Sequence, residues 1–110
     1  MESEVIFLSG PMTGIDKFNF PKFDEVERNF TLQGLKVENP ANYARRYKVE
    51  KVLSDPKEFR AMLQDEWDAL ARCSAIYLFK GWENSCGARR ELQIALELGL
   101  KVYVEGVSEP

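Results

Sequence analysis

A chain of 110 residues, 45% hydrophobic and 12% aromatic, suits a single domain over residues 1–110 that buries roughly two thirds of its unfolded surface. Its net charge of -3, from charges scattered along the chain, offers no basic field to a nucleic-acid polymer, and no apolar run approaches the roughly 18 residues that span a membrane. The absence of histidine excludes Ser-His-Asp and Cys-His catalysis and histidine-ligated zinc, and the acidic start Met1-Glu2-Ser3-Glu4 is unlike a signal peptide, so a cytoplasmic protein is expected.

Val5-Ile6-Phe7-Leu8 is a short, continuously apolar run, the pattern of a strand buried on both faces, and it opens into the loop Ser9-Gly10-Pro11-Met12-Thr13-Gly14. Phe23, Val26, Glu27 and Phe30 then recur at helical spacing, with Pro21 near the start and Gly34 just past the end, so a helix is expected over about 21–33. Leu35-Lys36-Val37-Glu38 reads as a second strand, which Asn39-Pro40 breaks. The segment from Ala41 to Leu53 is rich in Tyr, Arg and Lys but weakly periodic, and reads as a loop carrying a helical turn. Asp55-Pro56-Lys57-Glu58 supplies an N-cap, a proline at the first helical position and a capping-box acid, launching a helix that runs to about Arg72. Ala75 to Phe79 is strand three, and Cys86 to Leu98 is the last helix, closed by Gly99. Leu100 to Val104 is strand four, with a frayed tail expected after Glu105.

Strands alternating with helices imply right-handed crossovers and a three-layer α/β fold of flavodoxin- or Rossmann-like kind. The expected sheet is short and parallel, in order 2-1-3-4, with helices on both faces. Ligands of such sheets bind at the carboxyl ends of the strands, beside the switch point between strands one and three. The loops Ser9 to Gly14 and Lys80 to Gly87 both open there.

Two acids fall where their helices are otherwise greasy. At 100° per residue, the arc around Glu91 holds Ile94, Gly87, Leu98, Ala95, Ala88, Leu92 and Leu96, while Arg89, Arg90, Gln93 and Glu97 fill the opposite side. The same projection sets Glu66 among Met62, Cys73, Phe59, Leu70, Leu63 and Trp67. A lone acid in such a stripe is commonly a residue at the core edge reaching out along its methylenes. Two of them flanking strand three suggest a carboxylate pair of the sort that cleaves a glycosidic bond, one attacking or stabilising the anomeric carbon and one managing a proton.

The loop Asn84-Ser85-Cys86-Gly87 adds hydroxyl and backbone donors at a helix N-terminus, where an anion such as a phosphate is favoured, although Asn or Ser before a helix is usually a cap. Ser9 to Gly14 has the spacing of neither the Rossmann fingerprint nor the P-loop, yet Gly10, Pro11 and Met12 permit close backbone approach. Phe18, Phe20, Tyr77 and Trp82 are available to stack on a base, although aromatics near a sheet more often fill the core. Cys73 and Cys86 form neither a disulfide framework nor a metal pattern and read as small buried residues.

Ile6 to Gly14, Phe18-Asn19-Phe20-Pro21, Asn39-Pro40, Gly81-Trp82-Glu83-Asn84-Ser85, Gly87-Ala88-Arg89 and Glu91 together resemble a small, frequently phage-borne branch of the nucleoside 2-deoxyribosyltransferase-like superfamily. That superfamily includes enzymes that exchange bases on deoxyribose and others that hydrolyse the N-glycosidic bond of nucleoside 5'-monophosphates. The resemblance implies that Glu91 is the nucleophile forming a covalent glycosyl-enzyme, that Ser85 helps hold a 5'-phosphate, and that Gly10 belongs to the first substrate loop. It implies a homodimer or larger homo-oligomer, and no metal or cofactor. The chain departs from the pattern at Phe7, where the enzymes carry a tyrosine. It departs again at Glu66, where they carry an aspartate; Asp65 fills that place after a one-residue shift but projects to the polar arc.

Three functions follow as expectations: cleavage or transfer at a nucleoside or nucleoside monophosphate, sequestration of a nucleotide without cleavage, and a structural module with a vestigial cleft. The first takes Glu91 and Glu66 as catalytic, with Ser9 to Met12 and Asn84 to Gly87 gripping sugar and phosphate. Phe7 motivates the second, because a site that only binds needs no hydroxyl there.

Overall fold

The structure is a computed structural model and describes residues 4–47 and 54–110. Four parallel strands, β1 (Val5–Ser9), β2 (Lys36–Glu38), β3 (Ala75–Leu78) and β4 (Lys101–Val104), form one sheet in the order β2-β1-β3-β4, as expected. Between them run α1 (Phe20–Leu32), the short α2 (Ala41–Arg46), α3 (Pro56–Ala71) and α4 (Cys86–Glu97). None of the described helices is long and apolar enough to cross a membrane.

The central strand is apolar because both of its faces are covered. Ile6 and Leu8 join Phe23 and Phe30 of α1 in one core, while Phe7 joins Ala69 and Leu70 of α3 and Ala95 of α4 in the other. Alternation along the strand therefore turns Ser9 to the same side as Phe7, towards α3 and α4. Ile6, Phe7 and Leu8, all fully buried, each contribute roughly 1.5–3 kcal/mol of transfer free energy.

The helix ends follow local chemistry. Asp55 caps α3 by accepting from the Lys57 amide at 3.0 Å, with Pro56 at the first position. Beyond α4, the Leu100 amide reaches the Ala95 carbonyl at 2.9 Å and the Gly99 amide reaches Leu96 at 3.1 Å, a Schellman closure that sets Gly99 at φ 75°. Leu98 is thus the C-cap, one residue inside the expected end.

Three local features extend or correct the sequence reading. Lys17, Phe18 and Asn19 all take left-handed φ values of 52–61° ahead of α1, and Asn19 Nδ2 donates to the Pro11 carbonyl at 2.9 Å, tying this turn to the loop after β1. The start of the Ala41 to Leu53 segment is helical over Ala41–Arg46, whereas 48–53 lie outside the described residues. The tail after Glu105 is ordered, because Ser108 pairs with Val104 and Tyr77 Oη donates to Glu109 Oε1 at 2.9 Å.

Candidate functional site

The loops leaving β1, β2 and β3 surround a cavity of about 610 Å³, the size of a small-molecule site. Gly10, Pro11 and Met12 line it from the first loop, Pro40 from the second, and Asn84, Ser85 and Gly87 from the third. Glu66 and Glu91 both line it, so the two inward acids share one cavity.

Both carboxyls are buried, at 6% exposure for Glu66 and 8% for Glu91. Ser9, fully buried at the end of β1, donates through its hydroxyl to Glu91 Oε1 at 2.7 Å. Glu66 makes no hydrogen bond among the described residues, and no fully buried side-chain oxygen there lacks a partner, so the Glu66 oxygens and Glu91 Oε2 are reached from the cavity. Burial pushes the Glu66 carboxyl well above the usual carboxylate range, and the charge of Glu91 pushes it further. Burial raises Glu91 as well, but the Ser9 hydrogen bond pulls the other way. Asp65 does not line the cavity, and its carboxylate instead accepts from the Tyr47 hydroxyl.

At the mouth of the third loop, Ser85 Oγ accepts from the Ala88 amide at 3.1 Å and so caps α4. That bond uses a lone pair and leaves the hydroxyl proton free to donate. The first-turn amides of α4 add further donors and the positive end of its dipole. Arg90 lines the same cavity without an ion-pair partner among the described residues.

The aromatic assignments change. Phe20 lies outside the cavity with its ring face covered by the Arg45 guanidinium, 4.8 Å from the centroid. Trp82 packs against the core beneath α3 and α4, and Tyr77 is buried on the opposite side of the sheet, edge-on to Phe30. Phe7 is buried in the core with Ala69, Leu70 and Ala95 and does not line the cavity. The cavity's aromatic wall is built instead by Phe59 and Trp67, while Phe23, which borders it, is fully buried in the core.

The sequence held the signal for much of that wall. Phe59, Met62, Leu63 and Glu66 sit at i, i+3, i+4 and i+7 on α3, so a stripe that presents Glu66 to a cavity presents the other three with it. Arg90 fell on the polar arc of α4, and it lines the cavity while remaining exposed.

The two cysteines separate. Cys73 is buried with its thiol donating to the Ala69 carbonyl, and burial pushes it up to about 12, whereas Cys86 is exposed at the first position of α4, contrary to the expectation of burial. Among the described residues no three Cys, Asp or Glu side chains converge as metal ligands.

Asn39 explains why Asn-Pro follows β2. Its Oδ1 accepts from the Ala41 amide at 3.0 Å, and its Nδ2 donates to Asp24 and Glu27 of α1 at 3.1 Å each, fixing Pro40 at the cavity wall. No curated protein matches the chain. Residues 4–104 match the family described as Domain of unknown function (DUF4406), and the chain belongs to that family.

Proposed function

We propose that the cavity binds a nucleoside or nucleoside 5'-monophosphate and that Glu91 cleaves or transfers its N-glycosidic bond. The observation that carries this reading is the pair of buried acids on one cavity, Glu91 with a hydrogen-bond donor and Glu66 without one. Such unequal surroundings separate an attacking carboxylate from a proton-holding one. Glu91 Oε2 attacks the anomeric carbon, the bond from that carbon to the base breaks, and its electron pair leaves on the base nitrogen, which takes the proton held by Glu66. Water or a second base then displaces Glu91 from the sugar, returning a proton to Glu66.

The rest of the lining supports a nucleotide-shaped ligand. Phe59 and Trp67 offer apolar surface for a base, while Ser85, the α4 amides and Arg90 offer donors and positive charge for a phosphate. The test is incubation with deoxynucleoside 5'-monophosphates and with mixtures of nucleoside and free base, followed by chromatography. Released or exchanged base that disappears with Glu91→Gln is the expected result. Intact nucleotide throughout rejects cleavage, and calorimetric binding with the nucleotide recovered intact assigns the cavity to sequestration instead.

A further inference from the structure

Ser9 does not itself line the cavity, unlike the loop residues Asn84 and Ser85. It belongs to the central strand rather than to a loop, and it is fully buried. Its backbone is held in the sheet, with its carbonyl accepting from the Phe79 amide at 2.8 Å. The hydroxyl faces α4, where its acceptor is Glu91 Oε1 at 2.7 Å. A rigid strand therefore grips a side chain that reaches in from a separate helix.

We propose that Ser9 is a positioning residue for Glu91, clamping Oε1 against the sheet so that Oε2 is the oxygen turned to the cavity. A hydroxyl that donates to one oxygen stabilises the charged form of that carboxyl and holds its rotamer. Glu66 faces the same space with no such donor. The other titratable or charged groups lining the cavity are Cys86 and Arg90, both from α4, and β1 contributes none. The division of labour between the two acids thus rests on one hydroxyl. The inference builds on the glycosidic reading for its consequence, but its test does not need a substrate.

The test is a carbon-13 NMR titration of the glutamate carboxyls in the free protein, with Glu91→Gln and Glu66→Gln assigning the signals. Ser9→Ala should raise the Glu91 midpoint by about one pH unit or more, since it removes the hydrogen bond that favours the charged form of that carboxyl. Glu66 should move down, because a neighbour that keeps its proton repels less. Ser9→Cys, a weaker donor at the same place, should fall between and serves if Ser9→Ala does not fold. Midpoints within about 0.3 unit of wild type in the folded variant overturn the proposal. A shifted Glu91 midpoint in a protein that cleaves no nucleotide leaves the positioning role standing and rejects the glycosidic reading alone.

Discussion

Glu66 on α3 and Glu91 on α4 line one cavity, and the charge on Glu91 makes Glu66 harder to ionise. Below the ordinary carboxylate value of 4.5, the folded and unfolded chains both hold these protons. Above it the unfolded chain releases them while the folded chain keeps them, so stability is lost as pH rises until the folded pair ionises. Urea midpoints should therefore fall between about pH 5 and about pH 8. Glu66→Gln should flatten that dependence and gain on the order of 1 kcal/mol over wild type at the upper end. Equal slopes in the two proteins would show that Glu66 does not hold its proton in the folded chain above the ordinary carboxylate range.

Glu91→Gln tests the chemistry. The amide keeps the size of the side chain and an acceptor for Ser9, so the fold and the cavity should persist. Base release should drop by at least about a thousandfold, the scale of losing a nucleophile, while nucleotide still raises the melting temperature. A variant that binds and still turns over at wild-type rate contradicts attack by Glu91.

Two glycines of the site have different reasons to be glycine. A Cβ on Gly10 would sit 2.7–2.9 Å from Phe79, itself buried and packed on Phe23 at 4.6 Å between centroids, so the ring has nowhere to go. Gly10→Ala should cost about 1–3 kcal/mol by overpacking. At Gly87 the nearest atom to a new Cβ is Ser85 Oγ at 3.9 Å, and the position is helical. Gly87→Ala should leave stability unchanged or raise it by up to about 1 kcal/mol, yet weaken nucleotide binding because its methyl enters the cavity. Thermal melts with and without nucleotide separate the two effects.

Arg90 is placed to read charge. Arg90→Ala should weaken binding of a nucleoside 5'-monophosphate by about tenfold, in line with about 1.5 kcal/mol for a charged hydrogen bond at a partly exposed site. The free nucleoside should be affected much less. Calorimetry on the matched pair of ligands checks this, and equal losses for both would remove Arg90 from phosphate recognition.

The elements themselves were legible in the chain. Val5 to Leu8 announces a strand covered on both faces because nothing polar interrupts it, and Asp55-Pro56 announces a helix start because capping depends on neighbours in sequence. The inward direction of Glu66 and Glu91 was legible too, since a helix turns by a fixed angle per residue. The aromatic wall was misread. Phe20 opens α1 and Trp82 lies in the loop after β3, but Arg45 covers one and the core takes the other, and position along the chain says nothing of either. The left-handed turn at Lys17 to Asn19 carries no glycine to signal it, and the tail is ordered by a Glu109 partner 32 residues away on β3.

Periodicity reports which way one element buries its side chains, and capping reports where it begins and ends. Neither reports what waits on the other side. That Ser9 and Glu91, 82 residues apart, meet at 2.7 Å was decided by packing α4 over the end of β1. The sequence by itself determined a parallel α/β sheet with two misplaced acids. The tertiary structure alone brought those acids to one cavity and gave a donor to only one of them, because that pairing depends on the relative placement of elements far apart in the chain.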